Sequence, residues 1–104
     1  MAIEVKIKDE MACLAIRGRF DFQLHREFKD AYTKLLENPA THGIEIEMSR
    51  IEYIDSSALG MLMLLNERSK AAGKSVALVN PSPPVAQVLD VANFGKIFNI
   101  KRTS

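Results

Sequence analysis

Asp55, Ser56 and Ser57 stand in a row inside IEYIDSSALG, Ile51 to Gly60, and they carry the chain's most specific chemistry, an acid beside two hydroxyls. Alternating apolar residues precede them and a helix-compatible run follows, so the hydroxyls fall where a strand hands over to a helix. Free backbone N–H groups and the positive end of the helix dipole collect at such a corner. A serine there can cap the helix, and the same place suits a phosphate. A nucleophilic serine would be a third chemistry. It needs a general base, yet there is no Gly-x-Ser-x-Gly elbow and neither His25 nor His42 is placed beside Ser57.

Other residue types offer less. Asp21 can cap a helix that follows it. Cys13 is the only cysteine, which excludes an intramolecular disulfide and a multi-thiolate metal site within one chain; it reads as a small buried hydrophobe. His25 and His42 have no metal-ligand spacing and read as solvated. Gly18 and Gly60 belong to no phosphate-cradling loop. Pro81-Ser82-Pro83-Pro84 reads as a loop into a capped helix rather than a proline-rich ligand, and Lys101-Arg102 is too short to imply nucleic-acid binding.

The elements that must position these residues follow from hydrophobic period. Ile3, Val5 and Ile7 alternate with Glu4, Lys6 and Lys8, a strand with one buried face. Asp9-Glu10 offers a turn, and residues 12–17 return as the second arm of a hairpin, ending before Gly18. Leu24, Phe28, Ala31, Tyr32 and Leu35 recur at three and four, predicting an amphipathic helix from Phe22 to Glu37. Ile44, Ile46 and Met48 alternate with Glu45 and Glu47 as another half-buried strand. A helix over residues 57–72 follows, with Gly73 as its left-handed cap. Ser75 to Val79 form a short strand, and Ser82 caps a helix with prolines in its first turn and Val85, Val88, Leu89 and Ala92 as its buried stripe. Phe94, Ile97, Phe98 and Ile100 dock back on the body before a polar end from Lys101 to Ser104.

This order predicts an α/β fold: a mixed four-stranded sheet, N-terminal hairpin then parallel strands, with helices mainly on one face. Glu4, Lys6, Lys8, Glu45 and Glu47 keep the other face partly wet. Around Met61, Met63 and Leu64 the long helix after the serines is apolar nearly all round, so this cluster is expected mainly to pack in the core, the alternative being an exposed, adaptable methionine-bearing binding surface.

Composition fits one globular domain of 104 residues, 47% hydrophobic and 26% charged, with no metal or disulfide staple required. Fourteen basic residues face 13 acidic ones, so nothing draws the whole molecule to nucleic acid or an anionic membrane. MAIEVKIK does not read as a signal peptide, and no stretch approaches the roughly 18 to 20 apolar residues of a membrane span. The cytoplasm is the expected compartment.

GRFD at Gly18 to Asp21, the IEYIDSSALGMLMLL block, GKSVALVNPSPPV and VLDVANFGKIFNI occur in one order along most of the chain. In these features the sequence resembles a STAS domain of the small bacterial anti-sigma factor antagonist type, and residues 1–104 are expected to form one such domain. Ala58 stands where many relatives have glycine, and the chain leaves little room for the further C-terminal helix that many carry.

The resemblance implies a non-catalytic switch without cofactor or metal. Ser57, the second serine of the pair, would be phosphorylated by a partner that is both anti-sigma factor and serine kinase, with Ser56 the less favoured acceptor and a cap or loop contact. Unphosphorylated, the domain would bind that partner and free a sigma factor; a serine/threonine phosphatase would reset the cycle. Asp21 and Asp55 would flank the phosphosite, with Ala58, Leu59, Gly60 and Met61 around it. The implied molecule is a monomer or weak dimer that neither binds nucleic acid directly nor inserts in a membrane. STAS domains also serve as accessory subunits of membrane lipid transporters or in partner-switching pathways without a sigma factor, and both alternatives remain open at this point.

Overall fold

The computed structural model describes residues 2–103, so Met1 and the Ser104 end of the polar tail lie outside the described residues. β1 (Ile3–Lys8) turns through Asp9, held at φ 58°, into β2 (Met11–Phe20). Aspartate tolerates this left-handed conformation better than most side chains, which is why the hairpin closes on so few residues.

β2 runs past the expected stop at Gly18. Gly18 sits within the strand at φ 81°, beside a slip in register against β3 (Gly43–Ile54). Lacking Cβ, glycine bends the strand here instead of ending it. β3 likewise extends six residues beyond Met48, the last position its alternation marks; the surplus residues it carries opposite β2 break the period from Ser49 on.

Helix 22–37 divides into a 3-10 turn at Phe22–Leu24 and α1 (His25–Glu37), which buries Phe28, Tyr32 and Leu35. α2 (Ser56–Ala71) buries Ala58, Met61, Leu62, Leu65 and Ser69, a stripe with helical spacing. Gly73 ends it at φ 71°, with Lys74 N–H donating to the Ser69 carbonyl at 2.8 Å, the left-handed termination expected. β4 (Ser75–Val79) leads to α3 (Pro83–Val91), where Ser82 holds the N-cap position but makes no side-chain cap bond.

A fifth strand corrects the expected four. β5 (Asn99–Lys101) pairs parallel with β4, and Asn80 N–H extends the contact to the Lys101 carbonyl at 2.8 Å. Three residues are too few to show a period, and only Ile100 among them is apolar. The sheet order is β1-β2-β3-β4-β5, with only β1 antiparallel.

All three helices contribute to one core with Leu14, Ile16, Ile44, Ile46, Met48 and Leu78, so they cover one face of the sheet. Full burial of Leu62 or Leu65 contributes about 1.5–3 kcal/mol each. The opposite face stays partly wet, as the alternating charges predict. Across it Lys101 reaches Glu45 at 3.0 Å and Asn80 Nδ2 donates to Glu47 at 3.0 Å, roofing Ala77 and Val79 on the strand between. Among the described residues no helix is long and apolar enough to cross a membrane.

Candidate functional site

Phe20 and Ile54 are paired at the C-terminal ends of two adjacent parallel strands, and an aspartate follows each. Parallel pairing therefore brings Asp21 and Asp55, 34 positions apart, to the same edge of the sheet. Ligand sites in open parallel sheets form at this edge, where strands end and helices begin.

Asp55 is the cap of α2, a place the sequence leaves open to serine. Its backbone stays extended, φ −133° and ψ −176°, while its Oδ1 accepts from the Ser57 amide at 3.1 Å and the Ala58 amide at 3.2 Å. A carboxylate suits this position because it satisfies two orphan donors and faces the positive end of the helix dipole. The Ser57 hydroxyl also donates to Oδ1, at 2.6 Å. That hydroxyl holds the Asp55 carboxyl below its ordinary range; partial desolvation opposes it, while the Ala58 and Ser57 amides and the Arg19 charge add to the lowering.

Ser56 is exposed in the first turn and Ser57 is half-buried behind it. Ala58 is fully buried and Met61 is 6% exposed, so both belong to the packing beneath the hydroxyls. Leu59 is half-buried and Gly60 exposed. Of the methionine-bearing surface, Met63 is the open part at 41% exposure.

Asp21 caps the 3-10 turn, accepting from Gln23 N–H at 3.0 Å. Its other oxygen meets Arg19 Nε at 3.2 Å, and the Arg19 guanidinium lies 3.9 Å from the ring centre of Tyr53, its partner across the strands. Arg19 and Tyr53 thus join the two aspartates into one surface. Sequence reasoning passes over both, although Arg19 lies inside GRFD and Tyr53 inside IEYID.

A second feature also escapes the sequence reading. Leu59, Pro84, Val88, Val91 and Ala92 line a groove of about 490 Å³ between α2 and α3, with Asp55 and Ser56 at its mouth. Val91 is 78% exposed. The spacing assigns Val88 and Ala92 to a buried stripe with Val85 and Leu89, but only Val85 and Leu89 are buried; Val88 and Ala92 are half-buried because they line the groove.

Elsewhere, Cys13 lies half-buried on the wet sheet face. Burial pushes its thiol up, and Glu47 and Glu45 push it further, so it holds its proton. His25 stacks on the exposed Phe22 ring at 5.3 Å, and exposed His42 meets Glu10 at 3.2 Å. Among the described residues no group of three or more His, Cys, Asp or Glu side chains is placed to hold a metal ion.

A mixed, mostly parallel five-stranded sheet covered by helices on one face is the architecture of STAS domains. The chain belongs to that family: residues 3–100 match the model described as Mlab, STAS domain. A STAS-domain containing protein of Pseudomonas aeruginosa strain UCBPP-PA14 is 38% identical over 87 residues, 84% of each chain. TM1081 of Thermotoga maritima, provisionally described as an anti-sigma factor antagonist, is similar with TM-score 0.87 and 26% identity over 97% of this chain and 86% of that one. The anti-sigma factor antagonist SpoIIAA in its unphosphorylated form has TM-score 0.84 and 19% identity, covering 99% of this chain and 89% of its own. Its phosphorylated form matches with TM-score 0.77.

Proposed function

We propose that this protein is a phosphorylation-regulated anti-sigma factor antagonist whose Ser57 is the phosphoacceptor. Unphosphorylated, it binds an anti-sigma factor that is also a serine kinase and releases a sigma factor. Phosphate on Ser57 switches that binding off, and a serine/threonine phosphatase restores it. The family membership and the antagonist descriptions of its relatives support the general role. The observation that carries the reading is the 2.6 Å bond from the Ser57 hydroxyl to Asp55 at an open sheet edge.

Phosphorylation replaces the hydroxyl hydrogen that Asp55 accepts and adds about −1.5 to −2 charges beside its carboxylate. The local helix terminus favours the new charge while Asp55 opposes it. The phosphate is therefore tolerated by the fold and repelled by a partner surface shaped for the free serine. Moving a binding equilibrium from 1:99 to 99:1 takes about 5.5 kcal/mol of differential affinity. A phosphate left unpaired in an interface supplies several of these. Asp21, Asp55, Ser56, Leu59 and Gly60 form the surface the partner reads, with buried Ala58 and Met61 fixing its shape.

Capture of partners by the wild type, Ser57→Ala and Ser57→Asp, with intact-mass measurement of phosphate, tests this. The expected result is a kinase-fold partner retained by wild type and Ser57→Ala, lost by Ser57→Asp, and no phosphate on Ser57→Ala. Phosphate persisting on Ser57→Ala overturns the site. Copurification with lipid-transporter components, with Ser57 never phosphorylated, would instead identify an accessory subunit.

A further inference from the structure

The free edge of β1 is charged on its wet face by Glu4, Lys6 and Lys8 but is long and regular, with open apolar residues on its other face. It has no proline, glycine or bulge over six residues, and Val5 and Ile7 stand 42% and 57% exposed on the helix-side face. At the opposite edge β5 spans only three residues. A long regular edge with open apolar side chains is a template for another strand.

Its backbone polarity is determined by the hairpin. Arg17 N–H donates to the Ala2 carbonyl at 2.8 Å, so the even-numbered residues of β1 turn their polar groups toward β2. Ile3, Val5 and Ile7 turn theirs outward. Consistent with this, the Ile3 N–H donates to a side chain outside the sheet, Glu27 Oε2 at 3.2 Å.

We infer that β1 is a homodimerisation edge, pairing antiparallel with β1 of a second copy about a two-fold axis at Val5. Charge complementarity selects both the partner and the register. With Val5 opposite Val5, each Glu4 faces the other copy's Lys6, and two opposite-charge pairs form on the wet face. Sliding by two residues in one direction sets Glu4 against Glu4, and in the other Lys6 against Lys6. The same register sets Ile7 opposite Ile3. It brings each Ile7 to a groove of about 380 Å³ between β1 and α1, where Ile3, Val5, Ala31 and Leu35 form the apolar wall and Glu27, Asp30 and Lys34 the charged rim. Each Ile3 N–H exchanges the Glu27 carboxylate for a strand carbonyl.

The contact is closed by its symmetry, so it stops at two copies rather than growing into a fibre. It joins two five-stranded sheets into one while leaving the Asp55–Ser57 edge unpaired. A single strand pair buries less than the roughly 1,200 Å² of standard interfaces, so the dimer is weak and concentration-dependent.

Sedimentation velocity from micromolar to millimolar protein at low salt tests this with exposed residues that leave the core untouched. The wild type is expected to shift toward dimer mass as concentration rises. Glu4→Lys and Lys6→Glu are each expected to lose about tenfold or more in dimer affinity, because every facing pair becomes repulsive. An equimolar mixture of the two variants is expected to dimerise, since positions 4 and 6 are both basic in Glu4→Lys and both acidic in Lys6→Glu. The double variant Glu4→Lys/Lys6→Glu regains the wild-type behaviour. A wild type that stays monomeric at millimolar concentration, or single variants that dimerise as well as wild type, or a mixture that fails to associate, each overturns the inference.

Discussion

At the scale of single residues, the site depends on one carboxylate with three donors. Asp55 Oδ1 receives two amides and the Ser57 hydroxyl, and that hydroxyl is the largest cause of its lowered pKa. Ser57→Ala should therefore raise the Asp55 pKa toward its ordinary value of 3.8, and Arg19→Gln should raise it less. A carboxyl carbon-13 titration reads both. The sign for stability follows from the lowered folded pKa: ionised Asp55 contributes fully above its unfolded pKa, and its contribution is lost as pH falls through the folded value. Amides of Ser57 and Ala58 are expected to lose exchange protection first in that acid window. Elsewhere Thr41 is 1% exposed and its Oγ1 has no hydrogen-bond partner among the described residues. Thr41→Val removes a buried unsatisfied group while keeping shape, so thermal denaturation should show it neutral or stabilised by about 1 kcal/mol.

At the scale of elements, α2 both presents the serines and anchors them. Gly60 lies in its exposed face, where an added Cβ would meet nothing within 4 Å. Gly60→Ala should stabilise the fold by about 0.5–1 kcal/mol through helix propensity. If partner affinity falls while stability rises, the flat surface at Gly60 belongs to the interface proposed above. The far end of α1 depends on Lys74, whose ammonium donates to the carbonyls of Leu36 at 2.8 Å and Asn38 at 2.6 Å, with Leu35 at 3.3 Å. A cation there satisfies orphan acceptors and complements the helix dipole. Lys74→Met should cost about 1 kcal/mol, with amide exchange accelerated in the last turn of α1.

Over the whole molecule, the core and the proposed switch site are separable. The Asp-Ser-Ser corner sits on the sheet edge, while Leu14, Ile46, Leu62 and Leu78 are fully buried. Leu62→Ala should cost about 2–5 kcal/mol in chemical denaturation, a large share of a stability of about 5–15 kcal/mol. Ser57→Asp, by contrast, should leave the circular dichroism and the sheet's amide shifts unchanged, because the proposed switch acts by excluding a partner and not by refolding. The two forms of SpoIIAA each share this fold.

Elements with a plain hydrophobic signature were legible in the residues alone. β1 and α1 were legible because alternation and three-four spacing mark a strand and an amphipathic helix, although in β1 only Ile3 of the expected buried face is buried, Val5 and Ile7 lying exposed at the sheet edge; α2 and β4 were legible as apolar runs, and Gly73 because a left-handed helix end favours glycine. The strand-to-helix corner at the two serines was legible too, and so were the one-sided layering and the wet face. Features that depend on pairing between strands distant in sequence came from the folded molecule. The bend at Gly18 and the long β3 keep strand pairing after the period has broken, and β5 is held by its neighbour and not by its own pattern. Pairing also set Arg19 over Tyr53 and carried Asp21 to the same edge as Asp55, while the cap fell to Asp55 rather than a serine through local bonds to the Ser57 and Ala58 amides. Periodicity records which way a side chain faces, whereas a site is defined by which side chains meet, and that is decided by register.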